Sequence, residues 1–295
     1  MNAAQLLLLL AVCAHAQDTF TLLENPAKIG SAAITEASGL VASPSSDGFL
    51  WIVNDSGGTP EIHLCNTDGT ARGSVTVKGV KNKDWEDLAA FTYEGENYLL
   101  IADTGDNESK RDSVFLLIVR EPALPSAGKS VAGEVPVAWI IQFTYEDGPR
   151  DCEAVAVDAR QKRIILVGKR TNPPVVYQLP LRPAKRNPVA KRIGTTQTIA
   201  PALGFLPHRN QPTGLDIASD GSVGAIVTYH GVFVFPKAKG QGWGEAFAAQ
   251  PVRTGSHKLP QAESVAFSKD GKSIFVVSEG RNSPIAVFQS EDGGG

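Results

Sequence analysis

Apolar and polar positions alternate in short runs along most of the chain, each run closed by Gly, Asp, Asn, Ser or Pro, which is the period of half-buried β-strands. One phrase recurs five times, a polar residue followed by a small or apolar one that leads into strand residues: ASGLVAS from Ala37, WEDLAAF from Trp85, CEAVAVD from Cys152, PTGLDIA from Pro212 and AESVAFS from Ala262. Each copy passes through a turn (SSDG, EGEN, ARQK, SDGS, KDGK) into a β-rich run, FLWIVND, NYLLIAD, RIILVGK, VGAIVTY or SIFVVSE. The unit is therefore a hairpin made five times. A third strand follows in every unit (EIHLC, SVFLLIV, PVVYQL, GVFVF, PIAVF), and a fourth in four of them (GSVTVKG, PVAWIIQF, AKRIGTTQT, AAQPVRTG).

The anchors of the phrase, Ser38, Glu86, Glu153, Thr213 and Glu263, recur at the length of a propeller blade. The last unit ends at Phe288 without a fourth strand, whereas the chain opens near Thr19 with an orphan one, FTLLENPAKIG. The pattern predicts an all-β, five-bladed β-propeller closed by the N-terminal strand, which completes the last blade and leaves no long free sheet edge. A sixth blade has room only in Glu121–Pro149 or Pro180–Gln211. Helical amphipathicity is weak throughout.

Residues 1–16, MNAAQLLLLLAVCAHA, read as a secretory signal: an apolar run from Leu6 to Ala14, too short to span a bilayer, ends in Ala14-His15-Ala16. Leu10-Ala11-Val12-Cys13 is a poor lipoprotein box, and the start lacks Lys and Arg. Residues 17–295 then form a single exported domain, periplasmic or extracellular. No later stretch reaches the roughly 18 apolar residues of a membrane span. A net charge of -3 shows no basic excess, which argues against a nucleic-acid partner. Cys65 and Cys152 fall on separate units and are expected to be unpaired buried side chains.

In a propeller the first residues of the innermost strands and the ends of the second strands meet at one mouth. The inner set is Ser38, Glu86, Glu153, Thr213 and Glu263; the set around it is Asn54, Asp103, Lys169, Tyr229 and Glu279. Three glutamates on one axis repel one another unless a cation lies between them, and oxygen donors without Cys or imidazole suit a hard ion such as calcium. The alternative is that these side chains accept backbone hydrogen bonds at strand starts, with no metal.

This order of Ser, Glu, Glu, Thr and Glu resembles the calcium-activated nucleotidases (apyrases), whose central calcium is held by a Ser/Glu ring; Thr213 stands where that family has a second serine. The phrases also resemble phytase-like esterase domains and, more distantly, diisopropylfluorophosphatase, paraoxonase and gluconolactonase. The resemblance covers the strand skeleton and not the loops. It implies bound Ca2+ and hydrolysis of phosphorus esters or similar activated esters or lactones.

Around such a metal, Asp103, Asp106 and Asp55 are candidates for base or nucleophile and His230 for a general base. Asn54, Lys169, Arg170, Tyr229, Glu279, Arg281 and Arg150, with Arg111, are candidates for holding an anionic group. The expected partner is a small anionic or ester substrate, with the protein acting as a monomer. The competing reading is a non-catalytic propeller with structural calcium that binds a glycan, peptide or envelope partner.

Overall fold

The alternation along the chain is realised as strands in a computed structural model that describes residues 20–197, 199 and 211–291, so residues 1–16 lie outside the described residues. Two short strands come first, β1 (Phe20–Leu22) and β2 (Ala27–Lys28). Antiparallel four-stranded units follow. The first is β3 (Ala37–Ala42), β4 (Phe49–Asn54), β5 (Glu61–Asn66) and β6 (Ala71–Lys78); the second is β7 (Trp85–Tyr93), β8 (Glu96–Asp103), β9 (Val114–Arg120) and β10 (Glu134–Tyr145). The third is β11 (Cys152–Asp158), β12 (Arg163–Gly168), β13 (Val175–Pro180) and β14 (Val189–Thr195). The fourth holds β15 (Gly214–Ile217), β16 (Val223–Thr228), β17 (Gly231–Pro236) and β18 (Val252–Arg253), and the last holds β19 (Ala262–Phe267), β20 (Ser273–Ser278) and β21 (Pro284–Ser290).

In the last unit the fourth strand comes from the other end of the chain: β1 pairs antiparallel with β21, Phe20 opposite Ser290. The long segment after Glu121 supplies β10, whose start runs parallel to β6 and whose end runs parallel to β14. The segment after Pro180 supplies β14. Among the described residues, both stretches with room for further strands thus serve the second and third units as outer strands, and residues 198 and 200–210 lie outside the described residues.

The outer strand of the fourth unit departs from expectation. Only Val252 and Arg253 pair with β17, and the residues before them form the helix α1 (Trp243–Ala248). Glu245 accepts the Gly242 amide at 3.3 Å to start that helix. Trp243, Ala246 and Phe247 are buried, and Trp243 donates its Nε1–H to Asp158 at 2.8 Å. Six residues and a single apolar face leave too little periodicity to read in advance.

Packing follows the order of the units. The inner strands lie against one another in sequence, β3 on β7, β7 on β11, β11 on β15, β15 on β19, and β19 on β3. Apolar clusters fill the spaces between consecutive units, and one that includes Leu40, Ile52, Val277 and Ile285 draws on the first and the last. Gly39 marks how close the inner strands come: a Cβ there would stand 2.5 Å from the Leu88 nitrogen. Two buried carboxylates satisfy inner-strand amides. Asp87 accepts from Val155 at 2.7 Å and Leu215 at 3.2 Å, and Asp216 accepts from Phe267 at 2.7 Å. Cys65 and Cys152 are free and buried, with burial pushing both thiols up to about 12. No helix among the described residues is long and apolar enough to cross a membrane.

Candidate functional site

The anchors of the repeated phrase do not sit in regular ladders. Pairing of β3 with β4 shifts between Ala37 and Gly39, of β7 with β8 between Trp85 and Asp87, of β11 with β12 between Cys152 and Ala154, and of β19 with β20 between Ala262 and Ser264. Ser38, Glu86, Glu153 and Glu263 are the residues skipped. A bulge takes a residue out of the alternation and re-aims its side chain, so the same device presents these four at the same end of their strands. Thr213 precedes β15 and keeps its place through its amide, which bonds Val227 O at 3.0 Å.

The two hydroxyls are used as ties between neighbours. Ser38 Oγ donates to Trp85 O and Thr213 Oγ1 to Ala262 O, each at 2.7 Å. The carboxylates divide into two groups. Glu86, Asp151 and Glu153 offer oxygens that all lie within 4.8 Å of one another, and Glu86 meets Asp55 and Asp84 within the same limit. All three members of the first group are buried. The cluster Glu86, Asp151 and Glu153 can hold a metal ion.

Glu86 is the critical member. It is 7% exposed and accepts no hydrogen bond among the described residues, so burial first, then the charges of Glu153, Asp55, Asp84 and Asp151, raise its carboxyl well above the usual range. Burial also raises Asp84, to about 6, with Asp55 adding to it. Gly105 leaves this space open: a Cβ on it would stand 2.2 Å from Glu86 Oε1 and 2.4 Å from Asp84 Oδ2. Asn82 draws the loops together, donating to Asn54 O at 3.0 Å and Asp55 O at 2.6 Å and accepting from the Trp85 amide at 3.3 Å.

Glu263 lies in neither group. Its carboxylate accepts from Tyr229 Oη and Gln261 Nε2, and Gln261 also donates to Glu279. Between the two halves stands Lys169, ion-paired with Glu153. Burial works against its charge, yet Glu153 and Glu263 outweigh that and hold its ammonium above the ordinary value. Positive charge that the sequence pattern allotted to a metal is thus supplied in part by this lysine.

The other predicted residues take varied places. Arg170 Nε donates to Asp151 at 2.8 Å, and the same guanidinium bonds Asn107. Asp103 pairs with Arg111 at 2.7 Å, and both oxygens of Asp106 accept amides of its own loop, Lys110 at 2.8 Å and Arg111 at 2.9 Å. Asn54 spends its amide on the backbone of Thr35, Glu36 and Ala33. Arg150, next to Asp151 in the chain, pairs with Asp147 and places its guanidinium 5.3 Å from the Tyr177 ring. Arg281 is exposed. His230 leaves Nε2 buried without a partner and lies beside His257. Of the candidate bases, Asp55 is half-buried within reach of Glu86, and burial raises its carboxyl.

Sequence reasoning missed Asp84 and Asp151. Both stand two residues before the glutamate of their phrase, as Asp84-Trp85-Glu86 and Asp151-Cys152-Glu153. That doubled Asp-x-Glu is the signal that would have found them, and it lies just outside the strand pattern from which the phrase was read.

No family model matches the chain, and no curated protein matches it in sequence. Among solved structures it is similar to the major allergen Mala s 1 of Malassezia sympodialis, with a TM-score of 0.56 and 9% identity over 92% of this chain and 97% of that one. That likeness shows a propeller-like fold and, at such identity, nothing of activity. Hydrazine synthase from Kuenenia stuttgartiensis matches at a TM-score of 0.47 with 12% identity, over 86% of this chain and 71% of that one. A proposed 6-phosphogluconolactonase from Bacteroides uniformis matches at 0.41 with 14% identity, over 95% and 81%. These two are too loose to carry an argument.

Proposed function

We propose that the chain is an exported, five-bladed propeller closed by β1, and a calcium-dependent hydrolase of phosphorus esters or similar activated esters at the mouth of its central channel. The single observation behind the catalytic part is Glu86: a buried carboxylate with no hydrogen-bond donor among the described residues and four other carboxylates around it. Such a charge is costly to bury alone, and a cation among oxygen donors is its natural complement. Neither His nor Cys belongs to the cluster, which favours a hard cation over zinc.

Glu86, Asp151 and Glu153 would hold the ion, and a bound divalent cation supplies Lewis acidity toward a phosphoryl or acyl oxygen. Asp151 is oriented for this by the Asp106 amide at 3.0 Å and by Arg170. Lys169 holds Glu153. Asp55 is placed to take a proton from water on the open side of Glu86.

One observation favours the non-catalytic reading. Lys169 and Arg170 are both paired with cluster carboxylates, which reduces the positive charge free to hold an anionic substrate. The experiment therefore separates metal from turnover. Metal content is measured on purified protein, melting is followed with calcium and with chelator, and hydrolysis is assayed on chromogenic phosphomonoesters, phosphotriesters and lactones.

Glu86→Gln removes the buried carboxyl that has no hydrogen-bond donor among the described residues. The variant should melt above the wild type in chelator at neutral pH, fail to respond to calcium, and lose turnover. A metal-free preparation indifferent to calcium would refute the site itself. A calcium response without turnover on any ester leaves the scaffold reading.

A further inference from the structure

We propose that the outer edge of β10, where it faces the basic loop 182–188, docks an extended acidic segment of a partner protein as an added strand. Over most of its length β10 is paired along one side only. Its antiparallel ladder with β9 runs from Val137 to Phe143, whereas on the other side β6 meets only Glu134, Val135 and Pro136, and β14 only Thr144 and Tyr145. The amides of Thr144 and Glu146 turn to that other side, bonding Pro188 O at 3.2 Å and Ala190 O at 3.1 Å. Backbone groups alternate in direction along a strand, so the N–H and C=O of Gln142 and Ile140 point the same way. Neither residue has a backbone partner there among the described residues. An open row of N–H and C=O groups is a template for another strand.

Other outer strands of the chain carry charges that discourage such pairing. β6 has Arg72 and Lys78, β14 has Lys191 and Arg192, and β18 has Arg253. β10 has no charged residue from Val135 to Tyr145, and Ile140, 51% exposed, is the most exposed large apolar side chain among the described residues. An edge left so bare is a hazard unless something covers it.

The surroundings say what kind of strand would cover it. A cavity of about 470 Å³ is lined by Ile140 and Gln142 on the strand and by the loop 182–188. The loop brings Arg182, Lys185 and Arg186, all exposed and none paired with a carboxylate among the described residues. Glu146 is already taken by Lys191 and the Arg192 amide, each at 3.0 Å. Three cations without counterions beside a backbone edge select an acidic strand. Side chains of an added strand alternate between the two faces of the sheet. One set would meet Ile140, and the other would meet the face of Trp139, where the Arg182 guanidinium stands 3.4 Å from the ring centre. Alternating apolar and acidic residues suit the two faces. A second copy of this chain is disfavoured, because pairing two β10 edges would bring two basic loops together.

The test uses the full chain and two capped heptapeptides, one alternating valine with glutamate and one alternating valine with lysine, followed by calorimetry at low salt. The glutamate peptide should bind, more weakly as salt is added, and the lysine peptide should not. Gln142→Pro deletes one outward N–H and no bond to β9, so it should fold and weaken the glutamate peptide about fivefold or more, the worth of one hydrogen bond. Gln142→Ala keeps the amide and should bind as the wild type does. Lys185→Glu combined with Arg186→Glu, on the exposed loop, should weaken binding about tenfold or more and carries the test if Gln142→Pro does not fold. Glu86→Gln should leave peptide binding intact, which keeps this edge separate from the metal site.

No binding of the glutamate peptide, equal binding of the lysine peptide, or undiminished binding by folded Gln142→Pro or by the charge-reversed protein would overturn the proposal. A dimer in sedimentation that Gln142→Pro dissolves would give the edge to a second copy. Binding of heparin or anionic vesicles with none of the peptide would give the loop to a polyanion. Either result equally sinks the acidic strand.

Discussion

At the scale of single residues, one position in the inner strand β7 and one in the loop after β8 carry more than their side-chain volume suggests. Asp87 is fully buried, and its carboxylate serves the amides of Val155 and Leu215 on two other inner strands. In Asp87→Ala these two amides and that of Leu88, which donates to the same carboxylate at 2.8 Å, lose their acceptor, and at about 1–3 kcal/mol for each buried group the loss should be about 3 kcal/mol or more in urea unfolding. Asp87→Asn keeps one acceptor oxygen and should lose less; equal losses in the two variants would show that the hydrogen bonds are not what matters. Gly105 acts through space instead. Its φ is not in the left-handed region, but a Cβ would collide with Glu86 and Asp84. Gly105→Ala should therefore cut calcium affinity about tenfold or more while leaving most of the thermal stability of the chelated protein, since the clash falls on the metal-facing carboxylates. Unchanged calcium affinity in a calorimetric titration would place the ion elsewhere. Glu86 and Glu153 were legible because their phrase repeats, whereas Asp84 and Asp151 stand before the strand starts, where an alternation gives no reason to look. Lys169 was legible as a cation at the mouth but not as the partner of Glu153, because a pairing across β11 and β12 depends on the bulge that turns Glu153 out of register.

At the scale of elements, the hairpins were readable because a period of two survives even when both faces are buried, as in β11, where all seven residues are inside. The N-terminal strand was readable through a count: one unit short of a strand and one strand without a unit. The bulges were not, since the residues they displace look like ordinary members of the alternation. Nor was α1, whose Gly242 and Gly244 argue against a helix on propensity. The packing explains Gly244. A Cβ there would stand 2.2 Å from Ile193 O, a backbone atom of β14 that cannot swing aside. On an open helix Gly→Ala adds up to about 1 kcal/mol of stability. Gly244→Ala should do the reverse, destabilising by about 1–3 kcal/mol in chemical denaturation as α1 is forced off β14. A stabilised variant would mean that the helix sits further from the sheet than described.

At the scale of the whole molecule, the buried acids tie stability to pH and to the cation together. Burial raises Asp216 from 3.8 to about 7, and burial followed by the charge of Glu279 raises Glu263 from 4.5 to about 7, while Lys169 and Tyr229 pull Glu263 the other way. Glu86 and Glu153 are shifted upward as well. A carboxyl whose folded pKa exceeds its unfolded one contributes stability that is complete below the unfolded value and is lost as pH rises through the folded one. For Asp216, Glu263 and Glu153, the last raised to about 8, the window therefore opens near pH 4 and closes near pH 7 to 8. Exposed acids held low, such as Asp68 and Asp270, act in the opposite sense but only below their ordinary value of 3.8, and Lys169 acts near its own alkaline value, so neither masks the window. In chelator the melting temperature should fall between about pH 5 and pH 8. Calcium binds only the ionised cluster, so it should leave the protein nearly unaffected at the acid end and restore most of the loss at the alkaline end. Asp216, which lies outside the cluster, keeps a residual slope that calcium does not remove and that Asp216→Asn should flatten. A melting temperature that climbs toward pH 8 in chelator, or a calcium increment equal at both ends, would mean that the buried carboxylates and the ion are not linked.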